Sequence, residues 1–313
     1  MSYDVYNMAA VDSETLSTEI DAFICFDTME DRSFYALHNL YVRHRLSDAL
    51  ILTFDSENSR KQKSGIKDPR FSAITVDVDK NLSASIIPCL RRIDEYIKGK
   101  RCVGIDISSM PIPHIAQILH FIIRRHENTQ LAIYYTEPSH YHLDNLFDYS
   151  SFGGEIDIKT VPGFEGETSQ MNEVKRVLFY LLGFESAYLS KLIPQDVNPT
   201  SIAPINGFPS FFPKYKDISL INSGINFIEE GVEIFYSEAN NPFEMYNTLV
   251  MLKDKYIDSR IDIIPVGTKP MALGACLFAL KTNDARCRII FPFPSEYNPN
   301  KSTGCGKLWE YKV

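Results

Sequence analysis

The chain has 313 residues, of which 44% are hydrophobic and 23% are charged, and its formal net charge is −8. A chain of this length can bury enough surface for one large or two medium cores without disulfide or metal support. No segment approaches the about 20 apolar residues of a membrane-spanning helix, and the acidic balance argues against an extensive nucleic-acid surface.

The cysteines favour a reducing compartment. Six of them are scattered, mostly in apolar contexts and without a C-x-x-C pair: Cys25, Cys89, Cys102, Cys276, Cys287 and Cys305. This pattern is typical of buried thiols and not of disulfide bonds or a zinc site. The first twenty residues carry acids and no basic segment followed by an apolar one, so we expect no secretory signal and a cytoplasmic location.

The elements in chain order predict two β/α domains after a polar lead-in over residues 1–20. In the first domain, 21–160, we predict strands at 21–26, 49–54, 71–78, 102–107 and 131–135, and helices at 34–46, 81–97 and 113–125. In the second, 175–313, we predict strands at 176–182, 201–205, 232–236, 261–266 and 288–291, and helices from 187, at 242–256 and at 271–280. Apolar strands alternating with helices indicate parallel sheets covered on both faces.

The second half repeats the first. Short matches recur at an offset of about 156–159 residues, near half the chain length: 79–81 with 238–240, 110–111 with 269–270, and 137–141 with 293–297. Shared residues at one offset indicate a duplication. We therefore predict an α/β protein of two tandem Rossmann-like, doubly wound parallel-sheet units forming a pseudo-dimer. Ligands of such sheets bind beyond the carboxyl ends of the strands.

The loop Val266–Pro270 lies at such a strand end. Thr268 is predicted to be the N-cap of the following helix, and Pro270 suits the first helical position. Lys269 then lies beside the positive end of the helix, which is unfavourable by roughly 0.3–1 kcal/mol unless an anion lies between them. We predict a phosphate or carboxylate seat at Gly267, Thr268 and Lys269. The alternative is a plain helix cap with an exposed lysine.

The segment Asp27–Ser33 has two interpretations. Arg32 could bind a phosphate or carboxylate while Asp27 binds a ribose hydroxyl or a metal. Alternatively, Asp27 caps a helix, Glu30 and Asp31 complement its dipole, and Arg32 pairs with one of them.

The loop Asp106–Ser109 is the first-half counterpart of the lysine loop. It carries Asp106, Ser108 and Ser109 where the second half has glycine, threonine and lysine. We therefore predict one asymmetric ligand, or one active and one inactive pocket; ordinary N-capping by a serine is the alternative. Glu185 and Asn206, which follow second-half strands, complete the predicted ligand-binding residues.

Two further patterns are weak. Gly304–Lys307 fails the phosphate-loop pattern, because Lys301 replaces its first glycine and Leu308 follows the lysine. We predict instead a glycine-rich turn into a C-terminal β extension. His140 and His142 lack a nearby acid or cysteine cluster, so no metal site is predicted and the cofactor stays open, a nucleotide being one candidate.

The Gly267-Thr268-Lys269 loop at a Rossmann strand end resembles the signature of CRISPR-associated Rossmann-fold (CARF) domains. Residues 206–210 and 293–299 also resemble segments of uncharacterised Rossmann-like proteins found beside prokaryotic antiviral genes. The resemblance implies a sensor of cyclic oligoadenylates bound across a two-domain interface, with Gly267, Thr268 and Lys269 on the ligand phosphates. Asp106–Ser109 departs from this pattern.

Three functions follow as hypotheses. The first is a nucleotide-binding or phosphorylated-ligand-binding sensor or accessory subunit of prokaryotic antiviral defence, working with a partner protein subunit. The second is a nucleotide-processing hydrolase or transferase with Asp27 or Asp106 as general base. The third is a structural subunit with vestigial pockets. Whether the protein is an enzyme stays open.

Overall fold

The computed structural model describes residues 8–10, 18–28, 30–46, 48–53, 72–77, 86–142, 152–166, 175–184, 199–224, 231–297 and 302–313. These residues form two compact units. The first unit contains the described residues between 8 and 142 together with 302–313. The second contains those between 152 and 297.

The first unit is built on a seven-stranded sheet. Its strands are β1 (Met8–Ala10), β2 (Ala22–Asp27), β3 (Asp48–Thr53), β4 (Ser72–Asp77), β5 (Cys102–Asp106), β6 (Gln130–Tyr141) and, last in the chain, β13 (Ser302–Lys312). A 3₁₀ turn (Asp31–Phe34) leads into α1 (Tyr35–Val42), and α2 (Ile87–Ile97) and α3 (Ile112–Arg125) follow. The strand order is β1-β13-β6-β5-β2-β3-β4.

The second unit is built on a six-stranded sheet. Its strands are β7 (Phe152–Thr160), β8 (Arg176–Leu181), β9 (Ser201–Gly207), β10 (Phe235–Ser237), β11 (Arg260–Pro265) and β12 (Cys287–Tyr297). The helices are α4 (Pro213–Asn222), α5 (Pro242–Lys255) and α6 (Lys269–Thr282). The strand order is β10-β9-β8-β11-β12-β7.

The two sheets share one parallel core topology. Five parallel strands run β4-β3-β2-β5-β6 in the first sheet and β10-β9-β8-β11-β12 in the second. Numbered along the chain within each unit, both read 3-2-1-4-5, the order of the first five strands of a Rossmann fold. The predicted α/β class with two similar, doubly wound units is confirmed.

Both sheets also carry antiparallel strands. The C-terminal β extension was predicted, but not its pairing with the first sheet, and β7 was not predicted. β13 pairs with β6 and β7 with β12. Strand β6 accordingly runs to Tyr141 and β12 to Tyr297, beyond the ends predicted at 135 and 291. Each unit therefore draws on residues outside the continuous ranges predicted for the domains: 302–312 join the first sheet and 152–160 the second. These additions cover one edge of each parallel core.

Apolar burial explains the central strands. All six residues of β2 and all six of β11 are buried, as expected for strands packed on both faces. All six cysteines are free thiols, and Cys305 is half-buried while the others are buried. Within the described part of the chain, no helix is both long and apolar enough to traverse a bilayer.

Candidate functional site

The topology places one switch point in each unit. There the order in which strands are added to the sheet reverses between strands 1 and 4, which are β2 and β5 in the first sheet and β8 and β11 in the second. Ligand crevices of open α/β sheets lie beyond the carboxyl ends of such strands. The residues that follow these four strands are therefore the candidates in each unit.

Two glycine loops meet at the second switch point. A Cβ at Gly183, just after β8, would lie 2.0 Å from the Val266 carbonyl oxygen, just after β11. A Cβ at Gly267 would lie 3.1 Å from the Leu182 carbonyl oxygen and 3.2 Å from Met271 Sδ. The backbones thus approach closely only because both positions lack side chains.

Thr268 is the N-cap of α6, as predicted. Its hydroxyl accepts a 3.3 Å hydrogen bond from the Met271 N–H and donates at 2.5 Å to the Ala239 carbonyl. The hydroxyl proton therefore already has an acceptor within the protein. Lys269 is the first helical residue and Pro270 the second, one position later than predicted. Lys269 is half-buried and lies in the first turn of α6.

Asn206 lies at this edge but binds within the protein. It is 1% exposed; its amide donates to the Lys216 carbonyl at 3.0 Å and accepts from the Ser219 hydroxyl at 2.7 Å. These bonds attach β9 to α4. Glu185, the other residue predicted for this edge, lies outside the described residues.

The first switch point is occupied by a buried polar network. Asp106 is 1% exposed, and its Oδ1 accepts hydrogen bonds from the Ser108 N–H (2.8 Å) and hydroxyl (2.5 Å). The Ser108 hydroxyl in turn accepts from the Thr136 N–H at 2.7 Å. Ser109 donates to the Phe26 carbonyl at 2.5 Å, which joins the loop to β2. Asp106 Oδ1 is therefore held within the protein by Ser108.

Arg32 belongs to a second buried network in the first unit. Its guanidinium pairs with Glu30 at 2.5 Å, and both side chains are about 5–6% exposed. It also donates to the Thr136 carbonyl (2.9 Å) and to the Ser302 hydroxyl (3.4 Å), and Ser302 donates to Glu30 at 3.1 Å. The alternative interpretation, in which Arg32 pairs with a neighbouring acid, describes this geometry.

The rest of the segment 27–33 differs from that alternative. The residue before the 3₁₀ turn is Glu30, which makes no side-chain capping bond, so Asp27 is not the cap. Asp31 accepts from the Gly304 N–H at 2.9 Å and so binds β13. Asp27 itself lies at the end of β2 and is 8% exposed.

Burial dominates the electrostatics around the first switch point. Desolvation, with the charges of Asp106 and Asp27, raises the pKa of Cys25 well above its ordinary value. Desolvation lowers the pKa of His114, in α3, to about 4, so that its imidazole is neutral at pH 7. The His114 ring stacks on Phe26 at 5.7 Å. These features indicate packing around a closed interior.

Residues 302–312 form the predicted C-terminal β extension. Trp309 Nε1 donates to Glu137 Oε1 at 2.6 Å, and Lys307 lies 4.1 Å from the Trp309 ring centroid. Glu310 accepts from Tyr134 at 2.8 Å. The glycine-rich stretch that resembles a phosphate loop is therefore part of β13.

A cavity of about 380 Å³ opens at the opposite edge of the second sheet. It is lined near the amino ends of β8, β9 and β11 by residues that include Lys175, Thr200 and Ser259. Because its walls come from the amino ends of the strands, topology does not favour it as the ligand crevice.

No family model and no curated protein matches the chain. Among solved structures, it is similar to the Acinetobacter baumannii Cap4 SAVED/CARF-domain receptor with the cyclic trinucleotide 3'3'3'-cAAA. The two share 12% sequence identity at a TM-score of 0.34, and the match covers 83% of this chain and 54% of the receptor chain. The chain spans about half the length of that receptor. A universal stress protein from Archaeoglobus fulgidus shares 9% sequence identity at a TM-score of 0.24, and the match covers 88% of this chain and 97% of that protein's chain. These TM-scores are too low to transfer a ligand.

Proposed function

We propose that this protein binds a nucleotide or another phosphorylated ligand at the carboxyl edge of its second sheet, as a sensor or accessory subunit of prokaryotic antiviral defence. The ligand phosphate binds at Lys269 and the first turn of α6. The defence role rests on the resemblance of the Gly267-Thr268-Lys269 loop to CARF domains.

One observation carries the proposal: α6 begins with Lys269 at the switch point between β8 and β11. The first turn of a helix presents N–H groups and a partial positive charge, which favour an anion. Pro270 contributes no N–H, and the Met271 N–H is bonded to Thr268. Lys269 therefore supplies much of the positive charge at this end of the helix.

The role that we propose for Thr268 differs from the phosphate contact implied by the resemblance to CARF domains. Because its hydroxyl donates to Ala239 and accepts from Met271, it positions the loop and the start of α6. The proposed phosphate contacts come from the Lys269 ammonium and the backbone beside Gly267. Thr268 acts by holding that backbone in place.

Ligand binding can be tested by thermal shift and calorimetry with mono-, di- and triphosphate nucleotides and short adenine oligonucleotides. We expect a ligand at 100 times its Kd to stabilise the protein by about 2.7 kcal/mol. Lys269→Ala should weaken binding tenfold or more, because a charge-assisted hydrogen bond contributes about 1.5–3 kcal/mol.

Lys281 provides the matched control, because it lies in the last turn of the same helix. Lys281→Ala removes the same charge from the far end of α6 and should leave binding unchanged. Equal affinities of the wild type and Lys269→Ala would contradict the proposed site.

A further inference from the structure

Two aromatic rings are exposed at the carboxyl edge of the second sheet. Phe208, directly after β9, is 52% exposed, and Tyr236, in β10, is 48% exposed. Their rings meet edge to face, with centroids 6.1 Å apart. The Lys216 ammonium lies 5.5 Å from the Phe208 ring centroid. We call Phe208, Tyr236 and Lys216 the aromatic platform.

The aromatic platform exposes two large aromatic side chains to solvent. Large rings gain the most from burial, so two adjacent rings left half in solvent mark a surface suited to binding. Lys216 also pairs with Asp217 at 3.4 Å, and its side chain is 34% exposed. The Lys216 ammonium lies over the Phe208 ring, and a cation held next to exposed rings attracts phosphate.

Backbone hydrogen bonds join the aromatic platform to the lysine loop. The Phe208 N–H donates to the Ser237 carbonyl at 2.7 Å, and the Ala239 N–H donates to the Pro209 carbonyl at 3.1 Å. The Ala239 carbonyl then accepts the Thr268 hydroxyl at 2.5 Å. The two exposed rings and the start of α6 are therefore fixed to one edge of one sheet.

We infer that the aromatic platform stacks a nucleobase of the ligand whose phosphate binds at Lys269. This inference rests on the proposed function and narrows it, because inorganic phosphates and sugar phosphates have no aromatic ring for π-stacking. Aromatic side chains accept any base face, and neighbouring lysines attract the phosphate backbone. The ligand class is thus a nucleotide or short oligonucleotide.

A matched pair of ligands separates base from phosphate. ATP and inorganic tripolyphosphate carry the same phosphate chain with and without adenosine, and GTP and a linear triadenylate extend the series. Calorimetry on the full chain should give the best base-bearing ligand a Kd about tenfold or more below that of tripolyphosphate, the range expected for one stacked base.

Two leucine variants test which rings act. Phe208→Leu and Tyr236→Leu keep apolar surface but remove a ring, and both side chains are exposed enough for the fold to persist. Each should reduce the preference over tripolyphosphate about fivefold or more. Ile221→Ala, at an exposed position of α4 outside the aromatic platform, should leave the preference unchanged.

The outcomes distinguish this inference from the proposed function. Equal wild-type affinities for all ligands, weakened by Lys269→Ala, would retain the phosphate site and overturn the base platform. A preference for a base that depends on Phe208 and not on Lys269 would retain the platform and overturn the phosphate site. Absence of binding by every ligand would overturn both. Self-association lost in Phe208→Leu, without a base preference, would assign these rings to a protein contact and overturn the inference.

Discussion

The two switch points share a strand order but differ in the residues that follow the strands. At the first, the carboxylate of Asp106 accepts from the Ser108 N–H and hydroxyl, and the Ser109 hydroxyl donates to the Phe26 carbonyl. At the second, two glycine loops meet and a lysine begins the next helix. The same strand order thus carries a hydrogen-bonded polar network at one switch point and a close approach of two loops at the other.

The largest effect should come from breaking the Arg32 network in the first unit. Arg32→Met leaves the Glu30 carboxylate buried without its guanidinium, which should lower the free energy of unfolding by about 3–5 kcal/mol in urea titrations. Arg91→Met is the control, because its partner Glu95 is 54% exposed, and should cost less than about 1 kcal/mol. Equal costs would contradict the burial of the Arg32–Glu30 pair.

The next largest effect should come from Gly183 at the second switch point. Gly183→Ala places a Cβ 2.0 Å from the Val266 carbonyl oxygen, so backbone must move. We expect a loss of about 3 kcal/mol, at the upper end for overpacking, and weakened ligand binding. Gly267→Ala meets its nearest atom at 3.1 Å and should cost less. The reverse ranking, measured by urea unfolding, would contradict the close approach of these loops.

A third test is the pH dependence of the first unit through His114. Its folded pKa of about 4 lies below the ordinary 6.5, so the unfolded chain takes up the proton first as the pH falls. Stability is therefore complete above about pH 6.5 and declines toward pH 4, by about 2 kcal/mol at pH 5. In His114→Gln this part of the decline should vanish, as urea titrations from pH 5 to 7.5 would reveal. An unchanged decline would show that other groups cause it.

The smallest effect should come from Lys269 without ligand. A cation in the first turn of α6 opposes the helix dipole, so Lys269→Ala should stabilise the ligand-free protein by about 0.3–1 kcal/mol. Urea unfolding without nucleotide measures the stability cost of Lys269, and urea unfolding with nucleotide measures its contribution to ligand binding. Destabilisation of the ligand-free protein would show that Lys269 has a structural role instead.

Local signals predicted much of the fold. Apolar runs of β2 and β11 indicated buried parallel strands, and Thr268 before Lys269-Pro270 indicated a helix cap, because these features depend on neighbouring residues. The pairing of Arg32 with Ser302, 270 positions apart, left no local pattern. The strand predicted at 131–135 continues to Tyr141, and its Pro138 pairs with Cys305 of β13.

The candidate site was only partly predictable for the same reason. The sequence located Lys269 at a strand end, but the acceptor of the Thr268 hydroxyl proton, the Ala239 carbonyl, belongs to a loop 29 residues earlier. A carboxylate at a strand end predicted Asp106 as a ligand-binding residue, whereas its hydrogen bonds to Ser108 depend on how the loop folds. The exposure of Phe208 and Tyr236 depends on what packs around them, which residue type alone does not determine.

The return of β13 to the first sheet has a consequence for biosynthesis. Strand β13 lies between β1 and β6, so the ribosome must finish residues 143–298 before the first sheet can close. During that interval β6 presents an unpaired edge that includes Tyr134 and Thr136. The second unit can fold before the last strand of the first unit has been synthesised. A chain interrupted before residue 302 would have an incomplete first sheet, whose unpaired edge favours aggregation.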